Sequence, residues 1–156
     1  MTSVSTEPRW LSPAEMRAWR AYVIGSELLR QQLNRELQER HQIALADYEV
    51  LVRLSEQPEG RMRMSHLAGQ VASSKSRLSH QIARMEKSGL VTRLNCPDDA
   101  RGVIAEITPR GLEILRTAAP THVEGVREHL VDLMTEDEQT VVAALFERVI
   151  AHLDLS

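Results

Sequence analysis

Most of the chain shows helical spacing of apolar residues, broken by one short stretch that alternates like a strand. From Met16 the apolar positions Trp19, Val23, Leu29, Leu33 and Leu37 fall largely three or four residues apart, the spacing that lines one face of a helix. Ser12-Pro13-Ala14-Glu15 just before them predicts the start. Ser12 can cap free N–H groups, Pro13 suits the first helical position, and Glu15 can reach back to the cap. No breaker follows before about residue 40, which gives a helix about 40 Å long at 1.5 Å per residue. A small domain cannot cover such a length by itself, so the helix is expected to pack on a partner.

Asp47 is positioned to cap a second helix, "YEVLVRLSEQ", that stops before Pro58 and Gly60. "MSHLAGQVA" follows, with Met64, Leu67, Ala68 and Val71 on one face. "SSKSRLSHQIARMEKSGLV" then predicts a helix with Leu78, Ile82 and Met85 inward and Gly89 as a left-handed stop. After Gly89 the period shortens. "LVTRLN" and "VIAEIT" read as the strands of a hairpin, joined by a loop of about seven residues, "CPDDARG". Thr108-Pro109 opens another helix, which Pro120 should kink or interrupt. Thr135-Glu136-Asp137-Glu138 is a second capping box, followed by Val141, Leu145, Val149 and Leu153 in register.

Charge is unevenly spread along this order. Residues 61–110 hold nine Lys/Arg against four Asp/Glu, whereas the remainder holds ten against eighteen. A basic functional surface on an acidic support is the expectation. Aromatics make up only 3% of the chain, so Leu, Val, Ile, Ala and Met must build the core. The N-terminus has no apolar core of the signal-peptide kind, no run reaches the roughly 20 apolar residues of a membrane span, and there is a single cysteine, Cys96. The expected location is cytoplasmic.

Two helices joined by "ASS" and followed by a hairpin have the layout of a winged helix-turn-helix, whose second helix enters the DNA major groove. At 100° per residue, Ser73, Arg77, His80 and Arg84 share about 60° of arc, opposite Leu78 and Ile82. Hydroxyl, guanidinium and imidazole groups are donors for phosphates and guanine edges, and that flank contains no carboxylate. Ser74, Lys75 and Ser76 at the helix start, and Ser65 on the helix before it, complete the candidate DNA-binding set. The competing reading is a winged helix that docks a protein, but such a surface would show exposed apolar groups in the stripe.

"DARGVIAEITPRG" and "RMEKSGLVTR" resemble the wing and the recognition-helix exit of the MarR family of bacterial transcription regulators, over essentially the whole chain. Asp99, Arg101, Ile107-Thr108 and Gly111 fit the wing pattern, with Ile107 where Leu is usual. The resemblance implies a mainly α fold with a small β-hairpin wing. Residues 1–45 and 109–156 would be dimerisation helices flanking a DNA-binding lobe at 46–108. It implies that Arg101 approaches the minor groove or its phosphates and that Asp99 braces the wing. It further implies a homodimeric, ligand-responsive repressor on a pseudo-palindromic operator of double-stranded DNA. The effector would be a small aromatic acid near Arg17, Trp19, Arg20 and Tyr22.

Catalytic signatures are missing. There is no GxxxxGK[ST], no GxGxxG after a strand, no HExxH and no GxSxG. None of the six histidines pairs at i, i+3 or i, i+4, and Cys96 has no CxxC partner. No enzyme, metal or cofactor is expected. Cys96 is read as an exposed thiol at the hairpin loop, with Asp98 and Asp99 disfavouring its thiolate.

Overall fold

The computed structural model describes residues 7–154. The start of the N-terminal stretch read above for a targeting signal lies outside the described residues. Helix α1 (Pro13–His41) begins as expected: Glu15 N–H donates to Ser12 Oγ at 3.1 Å, and Ser12 N–H donates to the Glu15 carboxylate at 2.8 Å. Helix α2 spans Leu45–Ser55 and begins three residues earlier than Asp47 would allow as its cap. Ala44 holds the cap position without a side-chain bond, while Asn34 Oδ1 accepts from Leu45 N–H at 2.9 Å. A side chain of α1 thus takes over the capping job, and Asp47 in the first turn is left for another one.

A 3-10 turn (Pro58–Gly60) leads into strand β1 (Arg61–Arg63), which the sequence pattern did not predict. Helices α3 (Met64–Gln70) and α4 (Lys75–Lys87) follow, then strands β2 (Val91–Cys96) and β3 (Asp99–Ile107). The sheet is antiparallel with order β1-β3-β2, pairing Met62 with Ala105 and Val91 with Ile107. The hairpin turn is tighter than seven residues. Cys96 pairs with Asp99, so only Pro97 and Asp98 connect the strands, with an irregularity at Asn95/Cys96. That irregularity turns Cys96 inward: it is buried, packed so closely over Gly102 that a Cβ there would lie 2.8 Å from its own. The expectation of an exposed thiol is therefore corrected.

Gly89, at φ +77°, ends α4 as expected. Thr108 ties this exit to the next helix, donating to the Gly89 carbonyl at 2.6 Å and accepting from Gly111 N–H at 3.0 Å. Helix α5 (Pro109–His129) continues through Pro120, so of the expected kink or interruption the interruption does not occur. Proline removes one helical N–H, but α5 lies along α1 and is held by packing on both sides of it. Ala118 is fully buried, and Gly125 sits so close to α1 that a Cβ would collide with Leu33 and Glu36. After a second 3-10 turn (Val131–Leu133), α6 (Glu136–Leu153) opens with the expected Thr135/Glu138 capping box.

One core unites Leu37, Leu51, Leu54, Leu67, Leu78, Ile82, Met85 and Val91, all essentially inaccessible. It lies under α2, α3, α4 and the sheet, and reaches α1 only through its C-terminal half. The architecture is a mainly helical winged helix with long terminal helices. No helix among the described residues is long and apolar enough to cross a membrane.

Candidate nucleic-acid interface

The turn between α3 and α4 is closed by Ala72, at φ +51°, and by Ser73 N–H donating to the Ala68 carbonyl at 2.9 Å. Ser74 then caps α4, its Oγ accepting from Arg77 N–H at 3.1 Å. With Leu78, Ile82 and Met85 buried, the opposite side of α4 must face outward. Ser74, Lys75, Ser76, Arg77 and His80 are exposed there, and Ser73 is half-buried at the turn. Lys75, Arg77 and His80 form no ion pair with any described residue.

The last turns of α4 differ. Asp47 of α2 accepts from Gln81 Nε2 at 2.9 Å and from the Arg84 guanidinium at 2.8 Å. On the wing side, Glu86 accepts from Arg93 N–H at 2.9 Å and from its guanidinium at 3.0 Å. These bonds, led by that of the Arg93 backbone, hold the Glu86 carboxyl below the usual carboxylate range. The acid-free flank seen in the sequence therefore acquires a bonded acidic partner from another element, Asp47, at its C-terminal end.

Between α3, α4 and the wing lies a cleft of about 330 Å³, bordered by Arg63, Ser65, Lys75, Arg93, Asp99 and Arg101. Ser65 and Arg101, far from α4 in sequence, thus join its N-terminal end. Arg101 is exposed on β3, and its backbone N–H donates to Asp99 Oδ1 at 3.0 Å. Asp99 spends its charge on the turn beside Arg101 instead of projecting alone toward an anion. Arg63 is a residue that the motif reading missed. It stands on the three-residue β1, opposite Ile104, and the local charge surplus was its one signal. Its neighbour Arg61 is engaged by Glu106 and Glu59.

The four candidate effector residues sit elsewhere. Arg17, Trp19, Arg20 and Tyr22 are exposed on the N-terminal half of α1. The Trp19 and Tyr22 rings lie 6.0 Å apart, and Tyr22 stacks on Phe146 of α6 at 5.4 Å. None of the four borders the cleft by the wing or a second one of about 320 Å³ between α2 and α5. That second cleft is lined by Tyr48, Glu49, Val52, Arg53, Val71 and His122. The His122 ring packs 4.7 Å from Tyr48, and its Nδ1 is buried without a hydrogen-bond partner among the described residues. Burial lowers the His122 pKa, against the opposing pull of Glu49 and Glu36.

Comparison with known proteins agrees with this geometry. The MarR family model matches residues 43–103, the span from α2 into the wing. The solved structure of AbsC, a MarR family transcriptional regulator from Streptomyces coelicolor, is 44% identical over 96% of this chain and 100% of that one, with a TM-score of 0.90. Sco3205, a MarR family transcriptional regulator from the same organism solved in complex with DNA, is 41% identical over 93% of this chain and 91% of its own, with a TM-score of 0.88. No curated protein sequence matches the chain. Near-complete coverage at this identity, on a fold built as described, means that the chain belongs to the MarR family of transcription regulators.

Proposed function

We propose that the protein is a homodimeric, sequence-specific regulator that binds a pseudo-palindromic operator, represses from it, and carries out no catalysis. One observation carries the DNA reading: the exposed, unpaired Lys75, Arg77 and His80 on α4 adjoin the cationic cleft of Arg63 and Arg101. Phosphate attraction needs free cations, and base reading needs donors on the exposed face of a helix rigid enough to enter the groove. Arg77 is the base reader in this account. Ser65, Ser73, Ser74, Lys75, Ser76 and Arg101 contact backbone phosphates, with Asp99 holding the wing turn. The DNA in the solved Sco3205 complex supports this reading by analogy.

The dimer reading rests on the terminal helices. Ile24 and Leu28 of α1 and Val141 and Leu153 of α6 are each about 60% exposed. Apolar stripes of this length ask for cover. We assign residues 1–45 and 109–156 to dimerisation and 46–108 to DNA binding, in a cytoplasmic protein. Two recognition helices related by a two-fold axis would read half-sites about one helical turn apart. For ligand control, an aromatic acid could stack on Trp19 and Tyr22 and pair with Arg17 or Arg20. The α2–α5 cleft is the second candidate, since it is a real concavity between the two regions.

Sequencing the fragments that the protein retains from a random-sequence duplex library tests the function. The expected result is an inverted repeat with half-site centres about 10 base pairs apart. Retention of no fragment, or of fragments without any shared sequence, would overturn specific binding.

A further inference from the structure

The pairing of α4 divides the helix in two, and the divide falls on one carboxylate. Asp47 lies in the first turn of α2, where the helix dipole favours an anion, and Arg84 lies in the last turn of α4, where it favours a cation. One oxygen of Asp47 receives both Gln81 and Arg84. The Asp47 side chain is only 13% exposed, against 62% for Arg84. Seven residues earlier, about 10 Å along the helix, Arg77 has no such partner.

We propose that Asp47 is a specificity-determining positioning residue: it holds Arg84 as an internal ion pair, keeps that cation out of the sequence-independent attraction to phosphate, and fixes α4 through Gln81. The proposal rests on the reading of α4 as the recognition helix. Affinity for DNA of any sequence grows with each cation that displaces a condensed counterion. A guanidinium already neutralised by a nearby carboxylate displaces none. Nor can Arg84 readily leave, because a mostly buried carboxylate would be stranded with one neutral donor, close to an approaching polyanion. The useful quantity for a regulator is the ratio of specific to non-specific affinity. An internal partner for Arg84 lowers the second and leaves Arg77 and His80 to set the first. Gln81, bonded to the same oxygen, limits rotation of α4 about its axis and so the direction in which Arg77 points.

The test compares the wild-type protein with Asp47→Asn, Asp47→Glu and the double variant Asp47→Asn/Arg84→Gln. Dissociation constants are measured between 50 and 200 mM salt. The probes are a duplex enriched from a random library by the wild-type protein and a scrambled duplex of equal length. Asparagine keeps an acceptor for Gln81 but removes the charge. Each released Arg84 should add about a 3.5-fold loss of affinity over that salt range, or about twelvefold for the two in a dimer. Asp47→Asn should therefore show the steeper salt dependence, bind the scrambled duplex more tightly at 50 mM, and narrow the ratio between the duplexes. Asp47→Glu should restore the wild-type slope, and so should the double variant. Should the asparagine variant not fold, Asp47→Ser removes the charge while leaving an acceptor and is judged by the same slope. A wild-type or shallower slope in the uncharged variant would overturn the proposal. So would a double variant as steep as Asp47→Asn, since the effect would then belong to the carboxylate alone. Failure of the wild-type protein to bind either duplex would overturn the DNA reading itself, and this inference with it.

Discussion

The lobe around α2–α4 and the terminal helices solve the burial problem in opposite ways. The lobe closes on itself: Leu51, Leu54, Leu67, Leu78 and Ile82 are fully buried. The exposed side of its α4 is polar, charged and, around Arg77, unpaired. Helix α6 buries nothing completely, and the first half of α1 leaves Trp19, Ile24 and Leu28 more than half exposed. A single chain thus contains one finished core and one unfinished one. The finished core explains how a chain with 3% aromatics holds α4 rigid. The unfinished one is the strongest physical reason to expect a second copy.

The sharpest way to break this contrast is to charge the open face. Val142→Asp with Ile150→Asp should give a monomer by sedimentation, with the lobe still folded. DNA affinity should fall by about 10²–10⁴-fold, the usual worth of joining two binding modules. A dimer that survives both changes would remove α6 from the interface. The closed core is tested by Leu51→Ala, expected to cost about 2–5 kcal/mol in denaturant unfolding. That loss should be independent of protein concentration when measured on the charged-face monomer. A loss below about 1 kcal/mol would mean that the lobe is not the finished core described.

On the surface of the lobe, Arg77→Ala should cost about 1–3 kcal/mol on the enriched duplex and relax preference at one base pair. Equal loss on every duplex would reassign Arg77 to phosphate. The smallest effect concerns His122 and is directional. Burial sets its folded pKa below the unfolded one, so the unfolded chain binds more protons in that range. Stability should fall as pH drops through the ordinary histidine range near 6.5 toward the folded value. His122→Leu should lack that fall, and identical pH profiles for the two proteins would refute it.

Much of this division was legible in the sequence, for local reasons. Ser12/Glu15 and Thr135/Glu138 announce helix starts within four residues, and Gly89 announces a stop in one. The stripe Leu78, Ile82 and Met85 fixes which side of α4 faces out. What stayed hidden depends on distant partners. Asn34 displaced Asp47 as the contact at the start of α2, and Asp47 instead meets Gln81 and Arg84 more than thirty residues away. Pro120 is carried by packing against α1, which no local rule for proline contains. Strand β1 is three residues with one inward side chain, too short to show a period. Cys96 is buried by a register irregularity that spacing cannot reveal. Within the candidate site, the cations were visible as a charge surplus, but which of them are already paired was not.

Salt dependence of DNA binding tests the central claim most directly. The claim is that free cations on α4 and the wing, doubled by a two-fold axis, hold DNA by its phosphates. Lys75 and Arg101 on each of two protomers amount to about four phosphate contacts, for which affinity should fall by about 10²-fold between 50 and 200 mM salt. A dissociation constant unchanged across that range would contradict the account.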